Sequence, residues 1–158
     1  MPIATPMFAA DAALGRLARW LRLLGYDTTY ERGLGDAQLI RSAAAEGRIL
    51  LTRNTRLIRR RDVPPYVLIH DDAFRAQLRQ VIDTCALHQP PALLARCSRC
   101  NRMLEPVEPA EAGAQVPAYV RATQTAFARC PGCARLYWPA THVERMRDEL
   151  ARMGLRAG

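Results

Sequence analysis

Apolar and polar residues fall in alternating short and long blocks over the first half of the chain. Residues 7–10, MFAA, form a brief apolar run that ends at Asp11. In the following AALGRLARWLRLLGYD, Leu14, Leu17, Ala18, Leu21 and Leu24 recur at helical spacing, while Arg16, Arg19 and Arg22 lie on other faces. Gly25 supplies a left-handed stop. An extended piece at Thr28 to Tyr30 leads through Gly33 and Gly35 to Asp36, which is expected to cap a helix from Ala37 to about Glu46, ended by Gly47. A buried strand is expected at 49–52, where apolar residues run into Thr52, Arg53 and Asn54. After Pro64 and Pro65, YVLIH at 66–70 reads as a fourth strand, and Asp71 or Asp72 as the cap of a helix carrying Phe74, Leu78, Val81, Ile82 and Cys85. Strands alternating with helices through short loops predict an α/β fold, a parallel sheet covered by helices on both faces.

The pattern stops at HQPPALLA, residues 88–95, which reads as a linker. Beyond it come CSRCN, a Pro/Glu/Ala stretch at 106–117 expected to be a loop, CPGC, and an amphipathic helix from about Val143 to Met153. Two units are therefore expected, residues 1–90 and residues 91–158, the second holding the cysteine pairs and the last helix. His142 reads as a capping or surface histidine rather than a ligand.

Composition narrows the function classes. With 49% hydrophobic and 24% charged residues, the chain has the balance of a folded globular protein and not of a disordered one. The net charge is +8, and all 23 basic residues are arginine, whose planar fork suits phosphate. A nucleic-acid partner is expected on that ground. No basic segment followed by an apolar h-region is present, and no apolar run approaches the ~20 residues that cross a bilayer, so a cytoplasmic protein without membrane contact is expected.

Five cysteines without a secretion signal point to metal ligands rather than a disulfide framework. Cys97, Cys100, Cys130 and Cys133 form two C-x2-C pairs with 29 residues between them. Two thiolates on each tight turn can complete the closed tetrahedron of a structural zinc site, which leaves no open position for water. Cys85 falls on the apolar face of its helix and reads as core.

The acids at element ends allow two readings. Asp11, Asp36, Asp71 and Asp72 can each cap a helix, or they can gather beyond the carboxyl ends of parallel strands, where ligands bind in such sheets. Gathered there, their oxygens would suit Mg²⁺ or Mn²⁺. An acid between an apolar strand and a helix, as at Asp11, is costly to bury unpaired.

The strings ADAALGRLARWLRLLGYDT, GDAQLI and EGRILLTRN, with the knuckles CSRCN and CPGCARLYW, closely resemble the prokaryotic family of the Mut-seven C-terminal ribonuclease domain. In that family a PIN-like nuclease fold is joined to a zinc ribbon, and the resemblance spans roughly residues 7 to 150. It implies a metal-dependent endoribonuclease, with Asp11 and Asp36 as catalytic acids holding Mg²⁺ or Mn²⁺ and a structural Zn²⁺ at the four cysteines. The family pattern after the third strand is usually T-R-D, whereas this chain has Thr52, Arg53 and Asn54. Asn54 then serves as a weakened third ligand, or the chain is a nuclease relic that binds RNA or acts as an adaptor for another protein. Arg16, Arg53, Arg59, Arg60 and Arg61 are the expected phosphate contacts.

Overall fold

The computed structural model describes residues 4–139 and 141–155, with the backbone alone at Thr141 and His142. Strands β1 (Phe8–Ala10), β2 (Thr28–Tyr30), β3 (Ile49–Thr52) and β4 (Tyr66–Leu68) form one parallel sheet in the order β2-β1-β3-β4. Helices α1 (Gly15–Leu23), α2 (Asp36–Ala45) and α3 (Phe74–Thr84) connect and follow them. The PIN-like α/β arrangement expected from the sequence is present.

Side-chain alternation on the strands divides the interior in two. Phe8 and Ala10 of β1 and Leu51 of β3 face a core shared with Leu17 and Leu21 of α1 and Leu78 and Ile82 of α3. Ala9 and Leu50, one residue out of step, face Leu39, Ile40 and Ala43 of α2. A shift of one residue in register would exchange these faces, so the hydrophobic pattern itself fixes the pairing.

The second half differs in part from its sequence reading. The stretch expected to be a loop at 106–117 instead contains the end of strand β5 (Glu105–Val107), the short helix α4 (Pro109–Ala112) and a 3-10 turn at Gly113–Gln115. Pro109 is tolerated because it opens the helix, where its missing N–H has no partner to lose. Helix α5 (Ala118–Thr123) follows, and strands β6 (Phe127–Arg129) and β7 (Leu136–Tyr137) complete an antiparallel sheet in the order β5-β6-β7. Ala112, Val116, Val120 and Phe127 form its own small core. The last helix, α6 (Thr141–Arg152), buries Met146 and Leu150 in the first core, against the parallel-sheet layer.

Polar contacts fasten the first cysteine turn to the edge of the parallel sheet. The edge strand β2 would leave backbone groups unpaired. Asn101 Oδ1 accepts from the Thr28 N–H at 3.0 Å, and buried Arg22 donates to the Thr28 carbonyl at 2.8 Å and to the Ser98 and Arg99 carbonyls at 3.1 and 2.9 Å. Asn101 also donates to Asp27 at 2.7 Å. Gly25 is required at the corner between α1 and β2: its φ is +93°, and a Cβ there would lie 2.5 Å from the Ala92 carbonyl oxygen. Among the described residues no helix is long and apolar enough to cross a membrane.

Candidate functional site

The chain passes from β1 to β2 on one side and returns to β3 on the other, so the strand order reverses between β1 and β3. In open parallel sheets the crevice at such a reversal, beyond the strands' carboxyl ends, is where ligands bind. Asp11 stands at the end of β1 there. The ladder continues one step past the strand, with Asp11 N–H donating to the Leu51 carbonyl at 3.0 Å. Its Oδ1 then accepts from the Ala13 N–H at 2.9 Å, starting a 3-10 turn at Ala12–Leu14 that leads into α1. Oδ2 accepts from the buried Thr52 hydroxyl and from the Arg53 N–H at 3.2 Å. Asp11 is thus both a cap and an acid at the carboxyl end of β1, where the strand order reverses.

Thr52 extends the chain of contacts. Its Oγ1 accepts from the Asn54 N–H at 3.0 Å. The Asn54 side-chain oxygen accepts from the Arg56 N–H at 3.0 Å, and its Nδ2 donates to Asp36 Oδ2 at 3.3 Å. Asp11, Thr52, Asn54 and Asp36 are therefore linked in one hydrogen-bonded series. Asp36 does not cap α2 as the sequence suggested, because Gly35 occupies the capping position and Asp36 is the first helical residue. That leaves its exposed carboxylate directed to Asn54.

The remaining acids take local roles. Asp71 Oδ1 accepts from the Ala73 N–H at 2.8 Å, and Ala73 rather than either aspartate occupies the capping position of α3. Asp72 pairs with Arg53. Among the predicted phosphate contacts, Arg60 pairs with Asp62 at 3.1 Å, while Arg59 and Arg61 are exposed. The Arg16 guanidinium sits over the Phe74 ring at 4.3 Å from its centroid. Arg19 and Arg32, which sequence reasoning did not single out as phosphate contacts, line a cavity with Arg16; Arg16 and Arg19 share an i, i+3 spacing that was visible, whereas Arg32 comes from a separate loop.

The four cysteines meet as expected. Their sulfurs all lie within 4.8 Å of one another, with Cys97 and Cys133 at 3.7 Å. Four thiolates at ~2.3 Å from a tetrahedral zinc would stand about 3.8 Å apart, so the set fits that ion. Backbone N–H groups of Cys100 and Gly132 point at the sulfurs of Cys97 and Cys130 at 3.3 and 3.4 Å, which favours thiolate over thiol. Burial alone would raise the Cys97 thiol, but hydrogen bonds from the Tyr137 hydroxyl and from the Cys100 and Arg99 backbone outweigh it and bring the value down to about 7. The four cysteines are positioned to bind a metal ion, compatible with structural zinc. Cys85 is half-buried against the first core, and burial pushes its thiol up. The side chain of His142 lies outside the described residues.

A model of the Mut7-C RNAse domain family matches residues 6–150. No curated protein and no solved structure matches the chain.

Proposed function

The chain belongs to the Mut7-C RNAse domain family, and on that premise we propose that it is a metal-dependent endoribonuclease hydrolysing RNA phosphodiester bonds at the crevice of Asp11, Asp36 and Asn54. Membership carries a nuclease-like, RNA-related function; the metal and the catalytic residues are our own reading. The observation that supports it is the hydrogen-bonded series from Asp11 through Thr52 and Asn54 to Asp36, placed where the strand order reverses.

Asp11 and Asp36 would hold Mg²⁺ or Mn²⁺, hard ions that take oxygen donors and commonly use only one or two protein carboxylates alongside substrate phosphate and water. Such an ion supplies a nucleophilic water and neutralises charge gathering on the phosphoryl oxygens. The residues of the chain provide the setting. Thr52 and the Arg53 N–H fix the Asp11 carboxylate, and Asn54 fixes that of Asp36. Of the arginines expected to contact RNA, Arg53 pairs with Asp72 and Arg60 with Asp62, so Arg16 and the exposed Arg59 and Arg61 keep their charge for RNA, and the four cysteines would hold a structural Zn²⁺ that takes no part in the reaction.

One observation favours a second reading, an inactive RNA-binding or adaptor protein. The Asn54 amide already gives Asp36 a hydrogen-bond donor where a third carboxylate would have left charge for a cation to balance. Incubation of mixed RNAs with Mg²⁺, with Mn²⁺ and without added divalent ion separates the two. Products that form only with the ion support the ribonuclease; intact RNA at every ion concentration supports the second reading.

A further inference from the structure

Arg16 and Arg19 on the first turns of α1 and Arg32 just beyond β2 converge on an open cavity of about 510 Å³, together with Gly15, Trp20 and Tyr30. The volume falls within the roughly 300–1,000 Å³ of small-ligand sites. Among the described residues none of these three guanidinium groups joins an ion pair, in contrast to Arg53 with Asp72 and Arg60 with Asp62. Three like charges sharing one concavity repel each other unless an anion fills it.

The walls are built to keep this shape. The Tyr30 hydroxyl donates to the Ala12 carbonyl at 3.0 Å, closing the end of β2 against the turn that follows Asp11. Only glycine permits this, because a Cβ on Gly15 would lie 2.8 Å from the Tyr30 hydroxyl oxygen. Trp20 stacks on Phe74 with centroids 5.1 Å apart, and Arg16 lies over the same Phe74 ring, so one side of the cavity is held by the core.

We propose that this cavity is a phosphate-binding subsite for the RNA strand, with Arg19 and Arg32 as its principal contacts. The proposal rests on the ribonuclease reading above for the identity of the ligand. Guanidinium forks match phosphate oxygens in geometry and in charge. The residue next to Asp11 forms part of the same wall through Tyr30, so a strand whose scissile phosphate reached the acids would have another phosphate within reach of these arginines. The RNA path thus runs over α1 and the end of β2, with the Arg59 to Arg61 turn making the weaker contact.

The test is fluorescence anisotropy of labelled oligouridine RNA with the full chain, without added divalent ion, over a range of salt. Arg19→Ala with Arg32→Ala should weaken binding about tenfold or more and reduce the magnitude of the salt slope by about 1.4, roughly 0.7 for each single-strand phosphate no longer neutralised. Arg19→Lys with Arg32→Lys should restore most of the affinity, because charge is kept. Arg59→Ala with Arg61→Ala should change binding less. Unchanged affinity and slope in the double alanine variant, or a greater loss in the Arg59 and Arg61 variant, overturns the subsite. The assay needs no cleavage: a chain that binds through Arg19 and Arg32 but cuts nothing overturns the nuclease reading alone, and one that cuts while ignoring these arginines overturns the subsite alone.

Discussion

The Asn54 side chain donates to Asp36 from Nδ2 at 3.3 Å while its oxygen is held by the Arg56 N–H at 3.0 Å. The amide orientation follows from the second contact, since only the oxygen can accept from a backbone N–H. Asn54 therefore turns a donor, not an acceptor, toward Asp36.

Asn54→Asp should reverse that relationship. Without added divalent ion, two carboxylates would face each other and the thermal midpoint should fall, by up to about 1 kcal/mol in stability because Asp36 is exposed. Mn²⁺ should stabilise the variant more than the parent chain, as expected when an ion binds the folded state alone. Differential scanning fluorimetry across a Mn²⁺ titration checks this. Equal shifts in the two proteins would show that position 54 does not face the ion.

The cysteine turns should hold one zinc per chain, and Cys130→Ser should lower that occupancy. Because Asn101 accepts from the Thr28 N–H at 3.0 Å, loosening the first turn should also speed amide exchange at Thr28, on the far side of the contact. Metal analysis paired with hydrogen exchange reads both. Folded protein without zinc, or exchange at Thr28 untouched by Cys130→Ser, would contradict the coupling.

Asp27 should matter for stability in acid. Burial works to raise its carboxyl, but hydrogen bonds from Arg48 and Asn101 and the charges of Arg48 and Arg96 outweigh it and hold the value below the ordinary 3.8. The pair with Arg48 is short, 2.6 Å, and the Arg48 side chain is almost fully buried. A carboxyl depressed on folding stabilises fully above its unfolded value and loses that contribution as pH falls through the lower folded value. Asp27→Ala should cost roughly 2 kcal/mol at neutral pH, since Arg48 keeps Glu46 as a partner, and the difference from the parent should shrink below about pH 3.8. Urea melts at neutral and acid pH measure it.

How far the sequence reaches is visible in particular residues. The strand at 49–52 and the helix that begins at Gly15 were legible because apolar spacing and Gly25 mark them without tertiary help. The cysteine cluster was legible from spacing alone, although 29 residues separate its halves. The segment at 106–117 was not legible, because its prolines and glutamates resemble a loop; β5 and α4 form there only because β6 and a small core of Val116, Val120 and Phe127 give them something to pack against. At the strand ends the sequence offered Asp11, Asp36 and Asn54 as neighbours and placed Thr52 at the end of its strand, but it gave no sign that the Thr52 hydroxyl would bridge Asp11 and Asn54. It also could not separate arginines already paired from those left without a carboxylate, a distinction made by the loops that bring Asp72 to Arg53 and Arg32 to the cavity.

Leu150 tests the attachment of the last helix. It is fully buried in the first core, so Leu150→Ala should cost roughly 2–4 kcal/mol and lower the melting point of the whole protein. A loss confined to the cysteine region, with the parallel-sheet layer melting unchanged, would place α6 with the ribbon instead.

The central claim is that the carboxylates at the β1 and α2 ends serve RNA hydrolysis. Asp11→Asn keeps an oxygen for the Ala13 N–H and removes the charge, but it turns an amide donor toward the Arg53 N–H that Oδ2 accepts from, so thermal melting and RNA anisotropy of the variant are measured beside its rate. Single-turnover cleavage of unstructured RNA in Mn²⁺, parent chain beside Asp11→Asn, is the most direct measurement. The account predicts ion-dependent products from the parent and a loss of about a hundredfold or more in the variant, on the order expected when electrostatic stabilisation is removed from a phosphoryl-transfer site. Equal rates in the two proteins, or no cleavage by the parent at any Mn²⁺ concentration, would contradict it.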